Sequence, residues 1–153
     1  MHGHRLALRR ARSNAGNWRL MVRLPVWRNG RQGARLDGMK VLIVDDHEGF
    51  RASARRMLEA DGFEVVAEAG SGAEALRAAE AWNPELVLLD VYLPDIQGFE
   101  VAERLQVNGS APAVVLTSSH DASDLGPMVE GSNFIPKSEL SGEALRRILG
   151  DQP

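Results

Sequence analysis

The chain has 153 residues, enough for one domain with a substantial core and too few for two ordinary ones. It contains no cysteine, which excludes disulfides, thiolate metal sites and a cysteine nucleophile, and no apolar run approaches the roughly 18 residues needed to cross a bilayer. Its formal charge of −3 joins two unlike parts: residues 1–38 carry +8, from nine arginines and one acid, and residues 39–153 carry −11, a poor surface for sequence-independent nucleic-acid binding.

The leader, residues 1–38, has no sustained helical or strand period, and Pro25 interrupts its most apolar part. It also lacks the apolar core and small-residue cleavage site of a secretory signal. The expected state is a basic, disordered extension, with the functional protein beginning at Met39. A basic arm for nucleic acid or anionic lipid is the functional alternative.

From Met39 the pattern becomes regular. "KVLIVDD" reads as a buried strand, followed by a helix over 49–60 with Phe50, Ala54, Met57 and Leu58 on one face and Asp61-Gly62 closing it. "FEVVAEA" is a second strand. Ser71, three residues before Glu74, predicts a capping box opening the helix "GAEALRAAEAW". After Pro84, "ELVLLD" is a third strand ending at Asp90, and the loop "VYLPDIQG" leads into the helix "FEVAERLQV". "APAVVLTSS" predicts a fourth strand ending at Thr117. The segment "HDASDLGPMVEGS" is the least regular, with room for at best a short helix beyond Gly126-Pro127. "NFIPK" predicts a fifth strand ending at Lys137, and "SGEALRRILG" a closing helix. Five strands with helical crossovers must run parallel, with helices on both faces. The expected fold is a flavodoxin-like, doubly wound (βα)5 sheet, strand order 2-1-3-4-5, with ligands bound beyond the carboxyl ends of the strands.

Polar groups fall at those ends: Asp45 and Asp46 after the first strand, Asp90 on the third, Thr117 on the fourth and Lys137 on the fifth. Three carboxylates on one rim repel each other unless a cation lies among them. Mg²⁺ suits such a site, because it uses few carboxylates together with waters and phosphate oxygens. A lysine and a hydroxyl beside it are suited to stabilising a transferring phosphoryl group. Singly, each group reads as ordinary strand-end chemistry; five of the right types on four strand ends do not.

The "DD" after the first strand, "LLDVYLPDIQG", the fourth-strand Thr and "FIPK" resemble the receiver domain of bacterial two-component response regulators, over residues 39–153. "VDDHEGFRASARRML" and "AEAGSGAEAL" are most similar to receivers of LuxR/NarL-type regulators. The resemblance implies that Asp90 accepts a phosphoryl group from a sensor histidine kinase or phosphotransfer protein. Asp46, Asp90 and the Tyr92 backbone carbonyl would bind Mg²⁺ directly, and Asp45 through a water. Thr117 and Lys137 would hold the phosphoryl group, and Thr117 and Phe134 would form the switch. A cytoplasmic signalling domain acting through an unidentified protein target is implied, not an enzyme beyond assisting its own phosphorylation and dephosphorylation. No DNA or membrane contact is expected, and self-association as a homodimer is left open. Only 16 residues follow Lys137, so the resemblance is to a receiver without an output domain.

Departures from the family pattern also matter. Pro136 precedes Lys137 and Ser138 follows it, so the cis proline that often follows the lysine does not transfer. Phe134 keeps the switch ring without a phenolic hydroxyl, and the short stretch around Gly126-Pro127 leaves the usual partner surface in question. Tyr92 and Ser119, two residues beyond Asp90 and Thr117, border the site; Tyr92 either obstructs the hydrolytic water or packs on its loop. Two alternatives stay open, a Mg²⁺-dependent phosphatase or phosphotransferase using Asp90 and a phosphorylation-independent binding module. Tyr92 stands where dehalogenase-type phosphatases carry their general acid, and the intact acid set with Lys137 disfavours the second. A flavin module is disfavoured because "DDHEGF" would repel its phosphate.

Overall fold

The computed structural model describes residues 37–107, 111–119, 125 and 133–150. The leader through residue 36 and the irregular segment with Gly126-Pro127 lie outside the described residues. The elements in chain order are β1 (Lys40–Val44), α1 (Glu48–Ala60), β2 (Glu64–Ala69), α2 (Gly72–Trp82), β3 (Leu86–Asp90), α3 (Gly98–Gln106), β4 (Ala113–Ser118), β5 (Phe134–Pro136) and α4 (Gly142–Ile148). A 3₁₀ turn, Lys137–Glu139, joins β5 to α4.

All strand pairs are parallel and the order is β2-β1-β3-β4-β5, as the alternation of elements predicts. The central strands are apolar on both faces because helices cover both. Leu42, Val44, Val87, Leu89, Val114 and Leu116 pack with Ala75 of α2 and Val101, Ala102 and Leu105 of α3. The alternate residues Val41, Ile43, Leu86, Leu88 and Val115 pack with Ala54 and Leu58 of α1 and Leu145 of α4. A strand's period of two thus divides one continuous apolar run between two cores.

Local signals also set the element ends. Gly62, at φ 96°, takes the left-handed conformation that closes the α1–β2 turn. Ser71 Oγ accepts from Glu74 N at 3.2 Å, but the return bond of the expected capping box goes elsewhere: Glu74 Oε1 accepts from Gly70 N at 2.7 Å. Two strand ends differ from expectation. β4 runs one residue past Thr117, and β5 stops at Pro136, so Lys137 opens the 3₁₀ turn. A proline nitrogen donates no hydrogen bond, and the pairing of β4 with β5 reaches only to Ser118 opposite Pro136.

Candidate functional site

The order in which the chain adds parallel strands switches sides between β1 and β3, and the carboxyl ends of these two strands carry Asp45 and Asp90. Asp90 lies in register with Thr117 across the β3–β4 pair, so these two side chains are neighbours. Asp45, Asp90 and Thr117 are all buried. Lys137 reaches back over the rim from the turn after β5. Its Nζ lies 2.5 Å from Asp45 Oδ2 and 3.3 Å from Asp90 Oδ2, and 4.6 Å from the centre of the Phe50 ring on α1. Four of the five expected groups therefore meet through one ammonium and one strand pairing.

The fifth, Asp46, stands at the edge, with its side chain 40% exposed. Asp46 Oδ1 lies 3.1 Å from His47 Nδ1, and Asp45 Oδ1 lies 3.2 Å from the same nitrogen. The His47 N–H also donates to Asp45 Oδ1 at 2.8 Å. Donor atoms of Asp45, Asp46 and His47 all fall within 4.8 Å of one another. Asp90 is outside this cluster and is tied to Asp45 by Lys137 instead. Hard carboxylate oxygens grouped on a rim, beside a buried Thr117 Oγ1 with no hydrogen-bond partner among the described residues, fit Mg²⁺ and a phosphoryl group.

Two buried acids share one lysine, and the electrostatics follow. Burial, and then the charge of Asp45, lift the Asp90 carboxyl from 3.8 to about 6, against the opposing pull of the Tyr92 N–H and Lys137. That N–H donates to Asp90 Oδ1 at 3.1 Å. Burial alone would lower Lys137; the hydrogen bond to Asp45 and the charges of both acids outweigh it and raise the ammonium above the ordinary lysine value.

The loop after β3 is clamped at both ends. Gly98 N donates to Val91 O at 2.8 Å, and Val91 N to Thr117 O at 2.9 Å. A Cβ on Gly98 would press into the Asp90 carbonyl oxygen and stand 3.0 Å from Val91 Cα. Because the obstacle is backbone, Gly98→Ala is expected to lower stability by about 1–3 kcal/mol, read by urea unfolding. In the middle of the loop, Asp95 caps a different helix. Its oxygens accept from Gly72 N at 2.8 Å and Ala73 N at 2.9 Å at the start of α2, and these two bonds hold the carboxyl down to about 2.

Sequence reading overlooked His47, Arg51, Asp95 and the ring of Phe50 as parts of the site. Only His47 had a visible signal, its adjacency to the acidic pair. Tyr92 is exposed at the loop's start and Ser119 is exposed beyond β4. Phe134 is partly buried and packs against the core that contains Leu116. The described residues hold no cis peptide bond, and no helix among them is long and apolar enough to cross a membrane.

Comparison with known proteins gives a consistent picture. The model of the family described as the response regulator receiver domain matches residues 41–141. The transcriptional regulatory protein PdtaR of Mycobacterium tuberculosis is 35% identical over 121 residues, 71% of this chain and 59% of that protein. A Pseudomonas aeruginosa protein is 38% identical over 109 residues, 69% of this chain and 53% of that one. The chain thus spans between half and two thirds of the length of these curated relatives. Among solved structures, a LuxR-family two-component response regulator from Aurantimonas matches with a TM-score of 0.64 and 28% identity, over 76% of this chain and 88% of that one. A CheY-like receiver domain from Methylobacillus flagellatus matches with a TM-score of 0.62 and 26% identity, over 74% and 97%.

Proposed function

Because the chain belongs to the response regulator receiver family, we propose that it is a phosphoacceptor, taking a phosphoryl group onto Asp90 from a histidine kinase or phosphotransfer protein. The observation that carries this reading is the meeting of Asp45, Asp90, Thr117 and Lys137 on one rim of the sheet. Asp90 Oδ attacks phosphorus, the bond to the donor imidazole breaks, and that imidazole leaves with a proton from solvent. Lys137 neutralises charge on the phosphoryl oxygens, and the buried Thr117 hydroxyl supplies a donor beside them.

Mg²⁺ would be held by Asp46, Asp90 and the Tyr92 carbonyl, with Asp45 acting through water. It supplies charge neutralisation for the incoming phosphoryl group. Both oxygens of Asp45 already have protein partners, His47 and Lys137, which suits a supporting role, whereas Asp46 is exposed at the rim. The raised Asp90 carboxyl is a weak nucleophile below about pH 6 in metal-free protein and needs a cation nearby to react well in acid. Once phosphorylated, the Thr117 hydroxyl turning toward phosphate and the Phe134 ring burying more deeply would move the equilibrium between two packings. Signalling would then run through protein contacts from the cytoplasmic receiver over residues 39–153, with 1–38 a basic extension.

Acetyl phosphate with Mg²⁺ should label the protein at Asp90, and Asp90→Ala should abolish the label, as read by intact mass. Labelling that survives in Asp90→Ala would overturn the assignment. Label that survives hydroxylamine or alkali, or label that forms equally in chelator, would count against an acyl phosphate made with Mg²⁺.

A further inference from the structure

We propose that Arg51 is a positioning residue for the divalent-cation site, holding the peptide between Asp45 and Asp46 so that two adjacent carboxylates meet on one rim. The inference rests on the cation-dependent reading of the site given above.

Neighbouring side chains of an extended strand point to opposite faces. Yet the Asp45 and Asp46 donor atoms lie within 4.8 Å of one another and both reach His47 Nδ1. The chain must therefore leave the extended conformation between them. The Asp45 N–H is still held by the sheet, donating to Ala69 O at 3.0 Å. The Asp45 carbonyl instead accepts from Arg51 Nη1 at 2.6 Å, a short, charge-assisted bond. This bond fixes the plane of the peptide that carries Asp46.

Arg51 is itself held in place. Its own N–H donates to His47 O at 3.1 Å, in the first turn of α1. Its Nε donates to Glu68 Oε1 on β2 at 3.1 Å, while Glu68 Oε2 accepts from Arg55 Nε at 2.8 Å. A guanidinium presents its donors in a rigid fork, so one side chain serves the carbonyl and the carboxylate together; an ammonium lacks that geometry. Gly70 leaves room for it, since a Cβ there would stand 3.3 Å from Arg51 Nη1.

The sign of the effect separates positioning from simple charge. A guanidinium near a cation site weakens cation binding by repulsion, so removing it would tighten binding if charge alone mattered. Loss of positioning weakens binding instead. Full-length protein is titrated with Mn²⁺, and free Mn²⁺ is followed by electron paramagnetic resonance, with Mg²⁺ as competitor. Arg51→Gln is expected to weaken Mn²⁺ affinity about tenfold, the scale of an outer-sphere partner of a metal ligand. Arg51→Lys should fall between Arg51→Gln and the wild type. Arg55→Gln removes a partner of the same Glu68 but leaves the carbonyl bond, and should stay within about twofold of wild type.

Unchanged or tighter binding by Arg51→Gln would overturn the proposal, as would an equal loss in Arg55→Gln. If Arg51→Gln does not fold, Arg51→Lys decides: it must bind Mn²⁺ more weakly than Arg55→Lys. Failure of the underlying reading looks different. There the wild type itself binds no Mn²⁺, or Asp46→Asn binds it as well as wild type.

Discussion

Replacing Lys137 by methionine should cost the metal-free protein about 3 kcal/mol at neutral pH, lowering its melting temperature by about 10 °C or more. The reason is the stoichiometry of the rim. Lys137 is the ammonium that contacts both Asp45 and Asp90, at 2.5 and 3.3 Å, and both carboxylates are buried. Removing it leaves two buried negative charges facing each other. Methionine keeps most of the stem's volume, so lost packing contributes little. The loss should shrink in acid, because Asp90 escapes by taking a proton, and melting curves in chelator from pH 5 to pH 8 would show it. The same variant should accept phosphate from acetyl phosphate about 100-fold more slowly, the scale of losing one charged donor to the reacting group. A variant as stable as wild type at pH 8 would mean that the two acids do not depend on this lysine.

The opposite result is expected at the other end of the same contact. Asp90→Asn should stabilise the metal-free protein above pH 6, even though it should also end the proposed phosphorylation. Asp90 titrates near 6 in the folded protein against an ordinary 3.8. A folded-state value above the unfolded one means that the folded protein holds its proton longer. Stability is therefore lost as pH rises from about 4 through 6, and the penalty is complete above that. A shift of that size corresponds to about 3 kcal/mol, of which Asn should recover about 1–2 after losing its attraction to Lys137. What remains is a matched pair, Asp45 with Lys137. Urea unfolding in chelator should show Asp90→Asn above wild type at pH 8 and level with it by about pH 4.5. An advantage that grew in acid would contradict the sign.

The sheet was legible because its information is local. The continuous apolar runs of β1, β3 and β4, Gly62 closing α1 and Ser71 capping α2 each act over a few residues, and each appears in the structure close to where the sequence places it. The two displaced strand ends, at Ser118 and Pro136, differ by one residue each, within the reach of a single ladder bond. The polar set was legible for a related reason: parallel strands bring every carboxyl end to one edge, so residues far apart in sequence converge once the strand order is known.

What could not be read are contacts between side chains on separate elements. Arg51 meets Glu68 across 17 residues and Asp95 meets Gly72 across 23, and in each case the sequence shows a charged residue without an evident partner. Phe50 was placed by its period on the core face of α1, which is correct, but that it also lies under the Lys137 ammonium depends on where the turn after β5 returns. The sequence by itself determined that Asp45 and Asp46 stand together at the end of a buried strand, with Asp90, Thr117 and Lys137 at the ends of others. Only the tertiary structure decided their burial and partners: Asp45 buried and bound to Lys137, Asp46 at the rim, and Asp90 raised by burial and by the charge of Asp45. Position along a strand follows from short-range periodicity, whereas burial and electrostatic balance depend on every element packed around the site.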